Sequence, residues 1–378
     1  MITTLYVLLA LFVFGVLVLI HELGHFLVAR AFGVGIREFS IGMGPKIFSW
    51  KGKKKWAESP KKEFPPIMID ENGDPLDSTE EEEEEEERVT VYSLRALPIG
   101  GYVSMVGEDE ESDSPASFGN KNVWKRILVV VAGAVMNIVL GFLLMLILVL
   151  NTPVLASNTI GAFNEGATSP NYGLQIGDVV THVNGTRVHT GNELIYEVMN
   201  RGYEAVDLTV ERNGERVELN DILFPGMEAE GISFGSPDFR VYAEERSFGN
   251  LMKHTWFRSV STVKMIYDQL FDLLRGRFGM NAVSGPIGIT ETMGEAAKSG
   301  LDNFLYLVIV ITINLGVFNL LPIPALDGGR LLFLLIEAVI RRPINKNVEG
   351  YIHFAGMLLL FGIMILVACK DIAGLFAR

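Results

Sequence analysis

Apolar side chains run almost unbroken over four stretches of the chain and alternate with polar ones over several others. Residues 2–20 carry no charge, and the run resumes at Phe26, Leu27 and Val28; residues 127–150, 304–323 and 353–369 repeat the pattern. At about 1.5 Å of rise per residue, each is long enough to cross a hydrocarbon core of ~30 Å, which predicts four membrane-spanning helices. No basic residue precedes the first stretch and no small-residue cleavage site precedes His21, so it reads as a retained membrane helix.

Between the spans the period changes. Glycines recur among apolar residues over 32–45, and Val89-Thr90-Val91-Tyr92 leads a similar piece ending in Gly100-Gly101-Tyr102-Val103. Neither sustains a helical period, so both read as extended, turning backbone that can pair as strands near the membrane. An open edge there is a place for an extended peptide to add itself. Residues 51–88 lie between these pieces. They are basic at the start, acidic at the end and interrupted by Pro60, Pro65, Pro66 and Pro75, which reads as a flexible insert with too little apolar surface to fold alone. Residues 151–240 alternate with period two around Asn184-Gly185 and Asn213-Gly214, both strong hairpin signals, with a short helix over 191–200. Phe248, Met252, Trp256, Val260, Val263, Tyr267, Leu270 and Leu274 then keep helical spacing, with Lys253, Arg258, Lys264 and Asp268 off that stripe. An amphipathic helix pair on the membrane or bracing the β-rich module is the expectation. Ser284-Gly285-Pro286-Ile287-Gly288 reads as a helix break.

The expected division is therefore a first transmembrane helix over 1–32, membrane-associated strands with the charged insert over 33–125, a second span over 126–150, a β-rich module over 151–240, a helical connector over 241–300, and the third and fourth spans over 301–378.

Composition narrows this further. With 49% hydrophobic and 20% charged residues, the 378-residue chain is too apolar for an ordinary soluble protein and too charged for membrane helices alone. Its net charge of -13 owes eight units to the run Glu80–Glu87; without that run the balance is -13 + 8 = -5. Nothing in this balance favours nucleic acid. Cys369 is the only cysteine, which excludes a disulfide framework and a thiolate zinc cage and leaves His, Asp or Glu to hold any metal.

The chemistry concentrates at His21-Glu22-Leu23-Gly24-His25, an HExxH signature inside the first apolar run. On a helix, positions four apart share a face, so two imidazoles can meet one ion with Glu22 beside them, as in zinc proteases. Ionisable groups at membrane depth are costly and mark function; the bland reading is a helix end whose polar groups face lipid headgroups. Gly133, Asn137 and Gly141 fall four apart on the second span, where small residues allow close helix approach and Asn137 can hydrogen-bond across it; packing is the favoured role. The third span ends in Asn319-Leu320-Leu321-Pro322-Ile323-Pro324-Ala325-Leu326-Asp327-Gly328. Two prolines interrupting a helix at membrane depth are tolerated only where the backbone is buried in protein or lines a cavity. Asp327 lies near the depth of the histidines if the two segments pack together, and it also suits the cap of a helix over 328–340. His182 and His189 read as ordinary surface histidines.

His21-Glu22-Leu23-Gly24-His25, Gly100-Gly101-Tyr102-Val103, Ser284-Gly285-Pro286-Ile287-Gly288 and Asn319 to Gly328, in this order over nearly the whole chain, resemble the site-2 protease family of intramembrane zinc metalloproteases. Within it the chain is similar to the bacterial regulator of sigma-E protease group, and Gly173 to Gly185 resembles bacterial PDZ domains. One PDZ-like module stands where some relatives carry two, and residues 51–88 are an insertion the family does not require. The resemblance implies a polytopic α-helical membrane protein with about four transmembrane helices, a membrane-associated β-hairpin region and an inserted β-rich PDZ-like domain. It implies one Zn2+ per chain held by His21, His25 and Asp327, Glu22 as catalytic base, and substrate binding by Asn319, Gly100, Gly101, Tyr102 and Val103. The implied activity is regulated intramembrane proteolysis of single-pass membrane proteins, such as anti-sigma factors or signal-peptide remnants, after a prior cut elsewhere. A non-catalytic PDZ-bearing scaffold with structural zinc is the alternative; an ion transporter is a third reading.

Arg30, Arg37, Lys46 and the lysines over 51–55 all follow the first span. Positive-inside logic then puts the loop 30–126 in the cytoplasm, and the N-terminus and PDZ-like module outside a bacterial plasma membrane.

Overall fold

The computed structural model describes residues 2–56, 89–108, 110, 112–201, 203–229, 232–277 and 285–377. They form two compact units, one of Met1–Leu140, Gly285–Ser299 and Ile311–Arg378, the other of Gly141–Ser284 and Gly300–Val310.

The first unit is built on helices. The first apolar run forms α1 (Ile2–Ala31). The second forms α2 (Val123–Asn151), which starts ahead of the apolar run because the Asn122 side chain accepts a hydrogen bond from the Trp124 N–H, as an N-cap does. α5 (Pro286–Ser299), α6 (Leu301–Leu320), α7 (Asp327–Ile340) and α8 (Lys346–Ala377) come later in the chain; α2 from Gly141 and α6 as far as Val310 belong to the second unit. Four helices are long and apolar enough to cross a membrane: Tyr6–Ala31, Val123–Asn151, Leu301–Leu320 and Lys346–Ala373. α6 stops ahead of its apolar run because the residue before Pro322 is driven out of helical backbone. Phe26, Ala29, Val34, Ile36, Met105, Val129, Val130 and Leu334 form the core of this unit.

β1 (Ile36–Lys55) and β2 (Val89–Met105) pair antiparallel, and β2 bends so that β1 pairs twice. Phe39 faces Tyr92 on one side and Val103 on the other, so the Gly101–Ser104 segment flanks β1 as an outer strand. The strand continues through Lys51 to Lys55, opposite Val91 and Val89, which corrects the start of the expected insert. Main-chain pairing carries a ribbon past the point where its side chains turn charged. Residues 57–88 of that insert lie outside the described residues. The expected break at Ser284-Gly285-Pro286 is also corrected. Pro286 starts α5, since proline's missing N–H is no loss in a first turn. The Asp371 carboxylate accepts from the Gly285 and Gly288 N–H groups there.

In the second unit, β3 (Leu155–Phe163), β4 (Val179–Val183), β6 (Val206–Arg212), β7 (Glu215–Ile222) and β10 (Phe239–Glu244) form a sheet in the order β10-β3-β4-β6-β7, with β5 (Thr186–Arg187) on β4. Gly226–Ala229 and Ile232–Gly235, β8 and β9, make a separate hairpin. Asn184 and Gly185 (φ 45° and 76°) and Asn213 and Gly214 (φ 53° and 85°) take the left-handed backbone that tight hairpins need. α3 (Gly191–Arg201) packs Leu194 and Val198 onto Ile160, Val180, Val206, Leu208, Val210 and Ile222. β10 carries the sheet past residue 240. The expected helix pair over 248–274 is one helix, α4 (Phe248–Leu274): nothing in that stretch breaks it, and the Ser247 hydroxyl accepts from the Asn250 N–H at 3.2 Å. α4 buries His254, Thr255, Ser259, Thr262 and Ile266, while Phe248, Trp256, Val260 and Leu274 of its apolar stripe are exposed.

Candidate metal centre

α1 brings His21 and His25 to one face, and both are buried, at 7% and 8% exposure. Asp327 arrives from 306 residues away. Its Oδ2 lies 2.9 Å from His21 Nε2 and 3.2 Å from His25 Nε2, and the two Nε2 atoms are 3.2 Å apart. Two ligands each about 2.0–2.1 Å from an ion at a tetrahedral angle lie about 3.3 Å apart, so the triangle has the spacing of three corners of a zinc tetrahedron.

The hydrogen bonding behind the triangle agrees with that use. His25 Nδ1 is 2.9 Å from the Val129 carbonyl of α2, which can only accept. A neutral His25 therefore carries its proton on Nδ1 and presents a bare Nε2 lone pair to the cluster. Asn137, fully buried one helical turn beyond Gly133, places its side-chain Nδ2 3.3 Å from His21 Nδ1 and leaves its Oδ1 buried without a hydrogen-bond partner among the described residues. A half-turn of the amide exchanges the two atoms and puts an acceptor opposite Nδ1, and His21 then too presents a bare Nε2. Thr312 of α6 donates to the Asn137 main-chain carbonyl, so three helices meet around this residue. Packing, with a hydrogen bond across the helix contact, is the role the sequence favours for Asn137; here its side chain also reaches His21. Gly133 is a void by necessity, because a Cβ there would stand 2.4 Å from His25 Nε2 and 2.8 Å from His21 Nε2.

Asp327 is the first residue of α7. The capping role expected for it does not hold: Leu326 takes the N-cap position without a side-chain cap bond, and the carboxylate turns to the imidazoles. Residues 321–326 fold back over the start of α7, so closely that a Cβ on Gly328 would stand 1.9 Å from the Leu321 carbonyl oxygen. Ala325 holds the left-handed φ of 74°, and its N–H donates to His353 Nδ1 of α8 at 3.0 Å. Val129 and His353 carry no motif, and no local signal in the sequence marks them.

Glu22 sits beside the triangle, and its Oε2 accepts from the Val103 N–H at 3.1 Å. Successive residues of a strand turn their main-chain groups to opposite edges. Val103, and with it Gly101, thus faces Glu22 while Tyr102 faces β1. The Tyr102 hydroxyl accepts from Arg95 at 2.5 Å. Gly100 holds a left-handed φ of 73° at the bend of β2. Asn319 is half-buried near the end of α6, and among the described residues it makes no hydrogen bond to His21, His25 or Asp327. His182 and His189 lie in the β-rich unit, where His189 stacks on Phe257.

A model of peptidase family M50 matches residues 9–58 and 83–363. The chain belongs to peptidase family M50. It is a metalloprotease by that membership, and the metal in its relatives' names is zinc. A candidate zinc metalloprotease of Clostridium acetobutylicum is 31% identical over 368 residues, covering 97% of each chain. The zinc metalloprotease RasP of Shouchella clausii is 30% identical, over 97% of this chain and 98% of its own. The regulator of sigma-W protease RasP of Bacillus subtilis is 30% identical, over 96% and 97%. The chain therefore matches these relatives nearly from end to end, as a membrane protein of this family.

Proposed function

We propose that the chain is an intramembrane endopeptidase that hydrolyses a peptide bond of a single-pass membrane protein, with one zinc ion held by His21, His25 and Asp327. The observation that carries this reading is the meeting of three donor atoms at ligand spacing, two from α1 and one from the start of α7, at 2.9–3.2 Å from one another. Zinc bound there supplies a Lewis acid for the attacking water and the scissile carbonyl. Glu22 takes the proton that the water loses as its oxygen bonds to the carbonyl carbon. It returns that proton to the amide nitrogen as the C–N bond breaks. The Val103 N–H holds Glu22 in place for both transfers.

A helical substrate hides its carbonyls in its own hydrogen bonds and must open before it is cut. The Gly100–Val103 segment offers a strand edge beside Glu22 on which the opened segment can pair, and the Asn319 amide suits a hydrogen bond to its backbone. The substrate class is an anti-sigma factor or signal-peptide remnant already shortened by another protease; the Bacillus subtilis relative bears the name regulator of sigma-W protease. The β-rich unit acts as a PDZ-like filter on the outer side of a bacterial plasma membrane, with the loop 30–126 cytoplasmic.

The test is cleavage of a single-pass anti-sigma substrate in proteoliposomes by wild type and Glu22→Gln, with zinc counted per chain. Wild type cleaves, and the variant keeps its zinc and does not. Equal cleavage by both overturns the mechanism, and loss of zinc from Glu22→Gln removes Glu22 from the role of base alone.

A further inference from the structure

We propose that Arg258 heads a binding site for the phosphate of a membrane phospholipid. Arg258 lies on α4, half-buried, with its guanidinium carbon 5.7 Å from the centre of the Tyr306 ring. A pocket of about 90 Å³ opens there, lined by Arg258, Ser261, Met265, Asn192, Tyr196 and Tyr306. Among the described residues no carboxylate stands within ion-pair distance of Arg258. On α3 and α4 the acids flanking the lining residues are engaged elsewhere: Asp268 holds the Tyr196 hydroxyl and Lys264, Glu197 holds Lys264, and Glu193 accepts from the His189 and Thr190 N–H groups. Burial works against the charge of this guanidinium. An arginine does not shed its proton to escape such a place, so the arrangement calls for an anion.

The other lining groups suit an oxyanion. The Ser261 hydroxyl, the Asn192 amide and the Tyr306 hydroxyl have no hydrogen-bond partner among the described residues and can each donate into the pocket. A guanidinium can hold a phosphodiester with two parallel bonds. The volume is well below the roughly 300 Å³ at which pockets begin to enclose whole small molecules, so it takes a head group and not a peptide segment. The place of the site in the fold favours a lipid over free phosphate. Tyr306 is the sixth residue of the spanning helix α6, about 7.5 Å along its axis from the start, the level at which head groups and aromatic belts lie.

The test uses the full chain in detergent, titrated with dihexanoyl phosphatidylglycerol, dihexanoylglycerol or inorganic phosphate and followed by thermal shift and by native mass spectrometry. Wild type is expected to bind the phospholipid saturably, and at the same concentrations neither dihexanoylglycerol nor phosphate. Arg258→Gln weakens that binding at least tenfold, and Arg258→Lys retains part of it. Should Arg258→Gln fail to fold, a double variant with Asn192→Ala and Ser261→Ala, which keeps the arginine, is expected to weaken binding by a smaller factor. Equal binding of phospholipid by wild type and variants overturns the site. Binding of inorganic phosphate as tight as that of the lipid, or displacement of the lipid by a peptide with a free C-terminal carboxylate, overturns the lipid assignment.

Discussion

Replacing Gly133 with alanine puts one methyl group into the space between the two imidazoles. That carbon would lie 2.4 Å from His25 Nε2 and 2.8 Å from His21 Nε2. Non-bonded heavy atoms settle at about 3.5 Å or more, so the His25 ring must retreat by about 1 Å and the His21 ring by nearly as much. A zinc site tolerates about 0.2 Å in its ligand distances, a fifth of that displacement. Zinc affinity is therefore expected to fall by more than the 10–100-fold lost when only an outer partner of a ligand is removed. Cleavage is expected to fall at least about 100-fold, the usual cost of misplacing a reacting group by 1 Å. The helix itself does not suffer, since alanine in a helix interior is favoured over glycine by about 1 kcal/mol. The metal-free variant should thus melt no lower than metal-free wild type. Zinc per chain after equilibration with graded chelator, cleavage in proteoliposomes and a thermal melt of both metal-free proteins together decide the matter. Wild-type zinc affinity with wild-type cleavage refutes the geometry; a metal-free melting temperature several degrees lower would assign the effect to helix packing instead.

Asn137→Ala removes the partner of His21 Nδ1 and is expected to weaken zinc binding by 10–100-fold, with Asn137→Asp, which still accepts a hydrogen bond, recovering much of it; the chelator titration reads both. Arg126 and Glu337, largely buried at 14% and 16% side-chain exposure, pair α2 with α7. Either single substitution to Gln should cost about 3 kcal/mol in a melt, and the double substitution less than the sum of the two. In the β1–β2 ribbon, burial pushes the Glu38 carboxyl up, but hydrogen bonds from Ser93, Tyr102, Arg95 and Lys46 outweigh it and hold its pKa at about 2. A carboxyl depressed on folding contributes stability above its unfolded value near 4.5 that is lost as pH falls toward 2. The fluorescence of Trp50, stacked on Tyr92 at 5.5 Å in a variant with no other tryptophan, should report loosening over that window, and Glu38→Gln should flatten the transition.

The helices and the cluster were legible for different reasons. Each spanning helix announces itself because a bilayer demands a long apolar run, and HExxH fixes two side chains on one face through the helical period alone. From the residues alone the third corner was visible only as an acidic residue at about the right depth, and it was the family resemblance that implied a ligand: whether Asp327 capped its own helix or turned to the histidines depended on the fold-back of residues 321–326. That fold-back rests on Gly328 and on His353, 28 residues beyond Ala325. Pro286 misled in the same way. The dipeptide Gly285-Pro286 reads as an interruption until Asp371, from another helix, satisfies the first N–H groups and makes it a helix start. The lysines over 51–55 read as solvated coil because their partners, Val89 and Val91, lie across a long charged insert. In α4 the apolar stripe was correctly placed, but the buried face carries His254, Thr255 and Thr262, whose hydroxyls and ring find partners that periodicity does not encode.

The 306 residues between His21 and Asp327 also set a schedule. At about 5–20 residues per second, a ribosome needs roughly 15–60 s after making the histidines before it adds the carboxylate that completes their cluster. For that interval α1 is already available to the membrane while the centre has only two of its three corners. Under the proposed assignment, a chain released before Asp327 is made lacks the third corner and is expected to hydrolyse nothing.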